Sequence, residues 1–422
     1  MNKKALFMML MAGMVSWQAE AKTRKAVYVI IDGVSSEFLE KVQPKTIFDV
    51  AKTGSYSRAY AGGKVGELTE TTTISAVGYT NILTGTWMYK HNVRSNGGIN
   101  TNYNYWSLFR IAKAQKQPVK TAIFSSWTDN RTILVGENRP ETGNLKIDYV
   151  YDGYDLDQTK FPRKPHDLHI YDIDSVVCHN AAECIRRDAP DMSWVYLWFT
   201  DDAFHETGYS PFSEKYLKKV DQQLAKIWQA IQYREKNFNE EWLFILTTDH
   251  GRDEQGFSHG AQTKDERGIW IATNRKGQNT QWGSSELSQV DIAPTICRYM
   301  GFTIPQAVEW EMDGVPFIGK ADISNLTSTG YGDTVTLGWT VLGKTSTNAD
   351  IYIATTNNFN TGGKDNWMKV KTVKTSDGKA TIDLTPYKSN FFKFQVVTPN
   401  NHLTRWYKKN VWFRDMAPEL RN

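Results

Sequence analysis

The segment Trp242-Leu-Phe-Ile-Leu-Thr-Thr-Asp249-His250-Gly251 runs from apolar residues through two threonines into an aspartate and a histidine. A continuous apolar run of this length suits a strand that is covered on both faces, as in a parallel α/β sheet. Two further runs end in the same way, residues 27–31 before Asp32 and residues 194–199 before Thr200 and Asp201. Ligands bind at the carboxyl ends of such strands. Three carboxylates gathered there would repel each other without a cation among them, so the pattern predicts a metal-dependent enzyme.

The bulk composition excludes some classes of protein. The chain of 422 residues is long enough for a large α/β core and a second, small domain. Basic and acidic residues nearly balance, with a net charge of +4, so nothing indicates a nucleic-acid polymer as partner. Three cysteines exclude a complete disulfide framework. A bridge between Cys178 and Cys184 and two reduced thiols both stay open, and Cys297 lies in an apolar helical pattern.

The first 21 residues have the form of a signal peptide. A basic start at residues 2–4 precedes a Met- and Leu-rich apolar stretch at 5–17, and Ala19-Glu20-Ala21 is a small-x-small cleavage site. We therefore expect cleavage after Ala21 and an exported protein, periplasmic or secreted. No later segment approaches the length of a transmembrane helix.

The rest of the chain shows two different sequence patterns. Residues 22–320 alternate strand and helix patterns, with further strands at 119–124 and 269–272 and a helix that begins at Ser210-Pro211. Residues 321–422 carry short alternating strands separated by Asn, Gly, Asp and Ser, as in an antiparallel β-sandwich. Their spacing resembles a fibronectin type III module. The predicted fold is thus a mostly parallel α/β sheet between helices plus a small C-terminal sandwich.

Several candidate metal ligands lie at or near the predicted strand ends. Asp201 and His205 are one helical turn apart, Asp249 and His250 share a strand tip, and His259 follows a glycine-containing stretch. With Asp32 they make three aspartates and three histidines, a mix suited to Zn²⁺, with Mn²⁺ as the alternative. Six ligands are too many for one tetrahedral ion but fit two ions with three protein ligands each.

A nucleophile is expected in the Ser/Thr-rich segment 71–85. A hydroxyl at a helix N-terminus gains from the helix dipole and from exposed N–H groups, which also favour an anionic substrate. A neighbouring metal ion would lower the pKa of that hydroxyl. Ser75 and Thr73 are both candidates.

The ordered set of Asp32, Ser75, Thr84-Gly85, Asp201-x-x-x-His205, Asp249-His250-Gly251 and His259 resembles the alkaline phosphatase superfamily. Within it, the type I phosphodiesterase/nucleotide pyrophosphatase branch is most similar, over residues 26–317. In that branch the nucleophile stands nine positions before the Thr of Thr-Gly, which implies Ser75 here, with Thr73 as the fallback. The stretch from His91 to Asn96 resembles the one whose Asn contacts a phosphoryl oxygen, which implies that role for Asn96.

The resemblance also implies a ligand set and a mechanism. One ion takes Asp201, His205 and His259, and the other takes Asp32, Asp249 and His250, with Ser75 contacting it. Ser75 would attack phosphorus, and water would hydrolyse the resulting phosphoserine. The implied substrate is a phosphorylated small molecule, glycan or lipid, cleaved as a phosphodiester or pyrophosphate.

Departures from the family pattern keep other functions open. Ser75 is followed by Ala76 rather than by a base-stacking aromatic, so Tyr103, Tyr105, Trp106 and Phe204 are the remaining candidates for a platform. A phosphomonoesterase would need extra cations, for which Lys160, Arg163 and Lys164 are candidates. A sulfatase would need x-Pro-x-Arg after Ser75, which is absent. An inactive binding protein would have no reason to keep all six ligands.

Overall fold

The computed structural model describes residues 21–344 and 346–410. The predicted signal peptide lies outside the described residues except for Ala21, and so do residues 411–422 of the predicted C-terminal module. Within the described ranges, no helix is both long and apolar enough to cross a membrane.

Seven strands form the first sheet, in the spatial order β2-β7-β6-β1-β5-β3-β4. They are β1 (Thr23–Ile31), β2 (Ser55–Tyr60), β3 (Thr121–Ser125), β4 (Tyr149–Tyr151), β5 (Met192–Leu197), β6 (Glu240–Thr247) and β7 (Gly268–Thr273). The pairs from β6 across to β4 are parallel. Strand β7 is antiparallel to both β6 and β2. The predicted mostly parallel sheet is therefore confirmed.

Helices cover both faces of this sheet. They are α1 (Ser36–Val42), α2 (Lys45–Thr53), α3 (Ser75–Thr84), α4 (Met88–His91), α5 (Leu108–Lys113), α6 (Leu168–Arg187), α7 (Phe199–Thr207), α8 (Pro211–Asn237), α9 (Ile292–Met300) and α10 (Gln306–Glu309). Val27, Val29 and Ile31 of β1 pack into one core with α6 and α8. Tyr28 and Ile30 pack into a second core with α3 and α9. Because β1 is buried on both faces, its sequence is continuously apolar rather than alternating.

The longest helix, α8, follows its sequence signals closely. Ser210 caps it by accepting a hydrogen bond from the Ser213 N–H at 3.2 Å, and Pro211 occupies the first turn. Its buried face contains the apolar stripe Leu217, Val220, Leu224, Ile227 and Ile231. In the neighbouring helix α6, Cys178 and Cys184 are buried with free thiols.

The C-terminal part forms two small antiparallel sheets with orders β11-β10-β13-β14 and β12-β9-β8. The strands are β8 (Ile323–Tyr331), β9 (Thr334–Val341), β10 (Asn348–Ala354), β11 (Met368–Lys374), β12 (Lys379–Asp383), β13 (Phe391–Val397) and β14 (His402–Lys408). Leu337 and Ile351 are part of the core that the two sheets share. The strands β8 and β14, which each form one edge of a sheet, were not predicted from the sequence.

The C-terminal sheets also contact the first part of the chain. Asn360 accepts hydrogen bonds from the side-chain amides of Asn102, at 2.9 Å, and of Asn104, at 3.0 Å, through its backbone carbonyl. The buried Lys393 ammonium pairs with Glu311 from the first part. Lys393 also pairs with Asp365 at 2.8 Å, so its buried charge has a carboxylate partner from each part of the chain.

Candidate active site

The three predicted strand ends meet at one edge of the sheet because β6, β1 and β5 are neighbours. Asp32 directly follows β1, Asp201 lies in the first turn of α7 after β5, and Asp249 follows β6. Asp32 and Asp249 are each 1% exposed and Asp201 is 7% exposed. Gly33 makes the turn after Asp32 with φ +67°, a conformation that favours glycine.

Asp32, Asp249 and His250 form the first of two ligand groups, here called the inner group. His250 Nε2 lies 3.5 Å from Asp32 Oδ1 and 3.2 Å from Asp249 Oδ2. Both of these carboxylate oxygens are buried and have no hydrogen-bond partner among the described residues. His250 Nδ1 lies 2.9 Å from the Gly251 carbonyl. Nδ1–H donates to that carbonyl, so Nε2 carries the lone pair that a metal ion needs.

Two tyrosines orient Asp32. Its second carboxylate oxygen, Oδ2, accepts hydrogen bonds from the hydroxyl of Tyr79 and, at 2.7 Å, from that of Tyr196. Tyr79 lies one turn after Ser75 on α3, and Tyr196 lies on β5. Because Oδ2 is held in this way, Oδ1 is left facing His250. Neither role was predicted from the sequence, because both tyrosines lie far from Asp32 along the chain.

Asp201, His205 and His259 form the second group, here called the outer group. His205 Nε2 lies 3.4 Å from Asp201 Oδ2 and 3.1 Å from His259 Nε2. His259 Nδ1 donates to the Thr73 carbonyl at 2.8 Å, which leaves its Nε2 as the ligand atom. The ring of His259 stacks on that of His250 with centroids 3.8 Å apart, so the two groups adjoin. His250 also comes within reach of Asp201 and His259, so it stands between the groups.

The donor atoms fit divalent metal ions. Two ligand atoms of one tetrahedral zinc ion lie about 3.3 Å apart, given bond lengths near 2.0–2.1 Å. The separations between a histidine Nε2 and its neighbouring ligand atom within the two groups run from 3.1 Å to 3.8 Å, the longest being that between His259 Nε2 and Asp201 Oδ1. Carboxylate oxygens and neutral imidazole nitrogens suit Zn²⁺, and Mn²⁺ accepts the same donors.

Electrostatics agree with this interpretation. Burial and the neighbouring Asp249 raise the pKa of Asp32 well above its usual range, and burial raises the pKa of Asp249 to about 7. Burial lowers the pKa values of His250 and His259, which keeps both imidazoles neutral. Burial thus disfavours the anionic form of the inner carboxylates, and a bound cation would stabilise it.

Arg252 stabilises the ionised form of Asp201. Burial would raise the pKa of Asp201, but the charge of the Arg252 guanidinium and the hydrogen bond with His205 hold it well below its usual range. Arg252 is fully buried and donates to Asp201 Oδ1. The sequence did not single it out, because an arginine after a strand tip normally indicates an exposed loop.

Ser75 is the first residue of α3, and its Oγ lies 3.3 Å from His250 Nε2. The helix approaches the inner group closely because residue 78 is glycine. A Cβ on Gly78 would lie 2.9 Å from the Cβ and the carbonyl oxygen of Asp249. The alternative nucleophile, Thr73, has its hydroxyl engaged, since it donates to the Ala261 carbonyl at 2.6 Å and accepts from the Gly260 N–H at 2.9 Å.

Asn96 lies beside the start of α3. Its Oδ1 accepts a hydrogen bond from the Ala76 N–H at 2.9 Å, so its amide N–H groups are the part left for a ligand. His91 shapes the segment before it. The Nδ1 of His91 accepts from the Val93 N–H at 3.1 Å, and its Nε2–H donates to Asn81 Oδ1 at 2.7 Å.

A cavity of about 250 Å³ opens at Ser75. It is lined by Asp32, Ser75, Tyr79, Asn96, Trp127, Tyr196, Trp198, Asp201 and Asp202. The two tryptophans were not predicted, although both follow a strand closely: Trp127 comes two residues after β3 and Trp198 comes directly after β5. They give the cavity an aromatic wall.

The other candidate substrate contacts lie elsewhere. The four residues considered as an aromatic platform and the three considered as extra cations are absent from the lining of this cavity. Tyr105 and Phe204 are 3% and 1% exposed and pack in the interior. Arg110 covers the ring of Trp106, with 4.4 Å to the centroid. Lys164 pairs with Asp172 on the exposed surface.

Comparison with known proteins gives one family match. The model of the type I phosphodiesterase / nucleotide pyrophosphatase family matches residues 26–265. No curated protein gives a significant match.

Solved structures of similar architecture show low sequence identity. A 2-O GAG sulfatase is 14% identical, with 86% of each chain covered and a TM-score of 0.46. The phosphonate monoester hydrolase of Agrobacterium radiobacter is 13% identical, with 91% of this chain and 89% of that chain covered and a TM-score of 0.47. Phosphonoacetate hydrolase from Sinorhizobium meliloti 1021 is 14% identical, with 55% and 57% covered and a TM-score of 0.37.

Proposed function

The chain belongs to the type I phosphodiesterase / nucleotide pyrophosphatase family, and we propose that it cleaves phosphodiesters or pyrophosphates through a phosphoserine on Ser75. The broader class is that of the phosphoester hydrolases of the alkaline phosphatase superfamily. The proposed activity depends on two divalent ions, Zn²⁺ or Mn²⁺, one held by the inner group and one by the outer group.

One observation carries the proposal. Two buried carboxylate oxygens, Asp32 Oδ1 and Asp249 Oδ2, converge without a hydrogen-bond partner on His250 Nε2, and Ser75 Oγ lies 3.3 Å from that same nitrogen. Leaving two buried carboxylate oxygens unpaired costs several kcal/mol, roughly 1–3 kcal/mol or more for each. A purely structural role would not offset that free-energy cost, whereas a cation bound beside a nucleophile would offset it.

The proposed roles follow from the geometry. Ser75 Oγ attacks phosphorus, the bond to the leaving oxygen breaks on the opposite side, and water later hydrolyses the phosphoserine. The N-terminus of α3 and the amide of Asn96 face the charge that develops on the phosphoryl oxygens. When bound, the two ions would lower the pKa of the serine hydroxyl and neutralise phosphoryl charge.

The cavity favours a diester over a monoester. A monoester brings a dianionic group, which calls for lysine or arginine beside it. The residues that line the cavity include no lysine or arginine. Trp127 and Trp198 instead offer apolar area to the organic group of an ester. These features support a phosphodiester, with the phosphomonoester as the alternative substrate.

We further propose the organisation expected from the sequence. Residues 1–21 would direct export to the periplasm or the medium, residues 22–320 would carry out catalysis and residues 321–422 would form a fibronectin type III-like module. The start of β8 at Ile323 supports the proposed boundary.

The test is a paired assay of the full mature chain with Zn²⁺. An aryl phosphodiester, an aryl phosphomonoester and an aryl sulfate are compared for the wild type, Ser75→Ala and the matched control Thr73→Val. We expect turnover of the diester that chelation abolishes, a loss of at least about 10³-fold in Ser75→Ala and a clearly smaller loss in Thr73→Val, whose missing hydroxyl bonds only the segment next to His259. Full activity in Ser75→Ala, or in the metal-free protein, would refute the proposal.

A further inference from the structure

Arg252 connects the segments that carry the proposed metal ligands. Its guanidinium donates to Asp201 Oδ1, to the Gly33 carbonyl at 3.1 Å and to the Phe257 carbonyl at 3.3 Å. Gly33 directly follows the ligand Asp32. Phe257 belongs to the segment that leads into His259. A single buried cation thus joins three parts of the site.

The fold makes room for this cation. A Cβ on Gly33 would overlap the guanidinium of Arg252. The ring of Phe204 lies next to the guanidinium, with 5.3 Å from Cζ to the ring centroid. Arg252 is also among the largest side chains that are fully buried. The guanidinium is therefore closely packed, and it cannot move away from Asp201 unless the surrounding side chains repack.

The two ligand groups consequently differ in charge. The inner group offers two carboxylates and a neutral imidazole, with two carboxylate oxygens that lack a partner. The outer group offers one carboxylate and two imidazoles, and its carboxylate is already paired with Arg252. A divalent ion is therefore attracted by two uncompensated charges at the inner group and by none at the outer group.

The groups also differ in exposure. The side chains of Asp32 and His250 are 1% and 0% exposed, whereas that of His205 is 44% exposed. Water and competing chelators reach the outer group through His205, while the side chains of Asp201 and His259 are each 10% exposed. Solvent also screens charges there more strongly, which weakens the hold on an ion further.

We propose that the two groups bind zinc with unequal affinity, a tight ion at the inner group and an exchangeable one at the outer group, and that Arg252 sets the difference by neutralising Asp201. This inference rests on the two-ion site of the proposed function. Arg252 acts through Asp201 and is a positioning residue.

Isothermal titration calorimetry of Zn²⁺ binding to the chelator-stripped full chain tests whether the two groups differ in affinity. We expect two binding steps that differ by at least about tenfold in affinity, given the charge difference. His205→Ala, a change at an exposed side chain, should remove the weak step and leave the tight one unchanged. Two equal steps in the wild type, or loss of the tight step in His205→Ala, would overturn the inference.

Substitutions of Arg252 test the cause. Arg252→Met leaves Asp201 as a buried carboxylate without a cation, so the weak step should tighten by about tenfold or more. Arg252→Lys keeps the charge and should keep the step weak. If Arg252 served only to hold the segments together, both variants would weaken the second step, and that result would overturn the charge argument. Arg252→Gln is a second neutral variant in case the methionine variant does not fold.

These measurements are independent of turnover. Two unequal steps in a chain that hydrolyses no phosphoester would leave the inference standing and refute the proposed function. Two equal steps in an active enzyme would overturn the inference and leave the proposed function standing. Zinc content after dialysis against a weak chelator gives a second readout, for which we expect one ion per chain in the wild type and two in Arg252→Met.

Discussion

His91 makes the stability of this protein sensitive to mild acid. The imidazole is fully buried, accepts a hydrogen bond from the Val93 N–H at 3.1 Å and donates one to Asn81. The bond from the Val93 N–H requires the neutral form, because a protonated Nδ1 would face that N–H with a hydrogen of its own. Burial accordingly lowers the pKa of His91 to about 3. The segment that it holds leads to Asn96.

The sign and size of the effect follow from linkage. The pKa of an unfolded histidine is about 6.5, so below that value the unfolded chain takes up a proton that the folded chain refuses until pH falls to about 3. Stability from this group is therefore present above about pH 6.5 and is lost as pH falls. One pKa unit corresponds to about 1.4 kcal/mol, which gives a loss of about 2 kcal/mol between pH 7 and pH 5.

Urea unfolding in excess chelator at pH 7 and pH 5 measures this loss. The wild type should lose about 2 kcal/mol more than His91→Gln over that interval, because the variant has nothing to protonate at this position. His179→Gln removes an exposed histidine and serves as the control substitution. An equal pH dependence in the wild type and in His91→Gln would refute the reasoning.

Two other substitutions test the support of the inner group. Tyr79→Phe removes a hydrogen bond to Asp32 Oδ2, and zinc affinity at the tight step should fall by about 10- to 100-fold in a chelator competition titration; an unchanged affinity would show that the tyrosine does not orient the ligand. Gly78→Ala places a Cβ 2.9 Å from Asp249 and should lower the free energy of unfolding by about 1–3 kcal/mol, whereas the control Gly97→Ala meets no atom within 4 Å and should change it little. Equal unfolding midpoints for the two glycine variants would contradict the close packing of α3.

The sequence predicted the framework of the site because burial leaves a strong pattern. A strand packed into two cores, such as β1, must be apolar at every position, and the first polar residue after it marks the strand end. Asp32 was found in this way, and Asp201 and Asp249 follow their apolar runs after one and two threonines. The direction of β7 could not be predicted, because a buried antiparallel strand has the same continuous apolar pattern as a parallel one.

The supporting residues could not be predicted, since their roles depend on partners distant in sequence. Tyr79 and Asp32 are 47 positions apart, and Arg252 and Asp201 are 51 apart. A tyrosine in an apolar helix looks like core, and an arginine after a strand tip looks like surface. Only the folded chain shows that their polar groups meet the metal ligands.

The central claim is that Ser75 is the nucleophile, and trapping of the intermediate tests it most directly. The zinc-loaded chain is mixed with an aryl phosphodiester, quenched in acid during turnover and analysed by peptide mass spectrometry. We predict one phosphoryl group, still bearing its remaining ester substituent if the aryl alcohol leaves first, on the peptide that contains Ser75, and none in Ser75→Ala. Sustained turnover with Ser75 unmodified, or with the label on Thr73, would contradict the account.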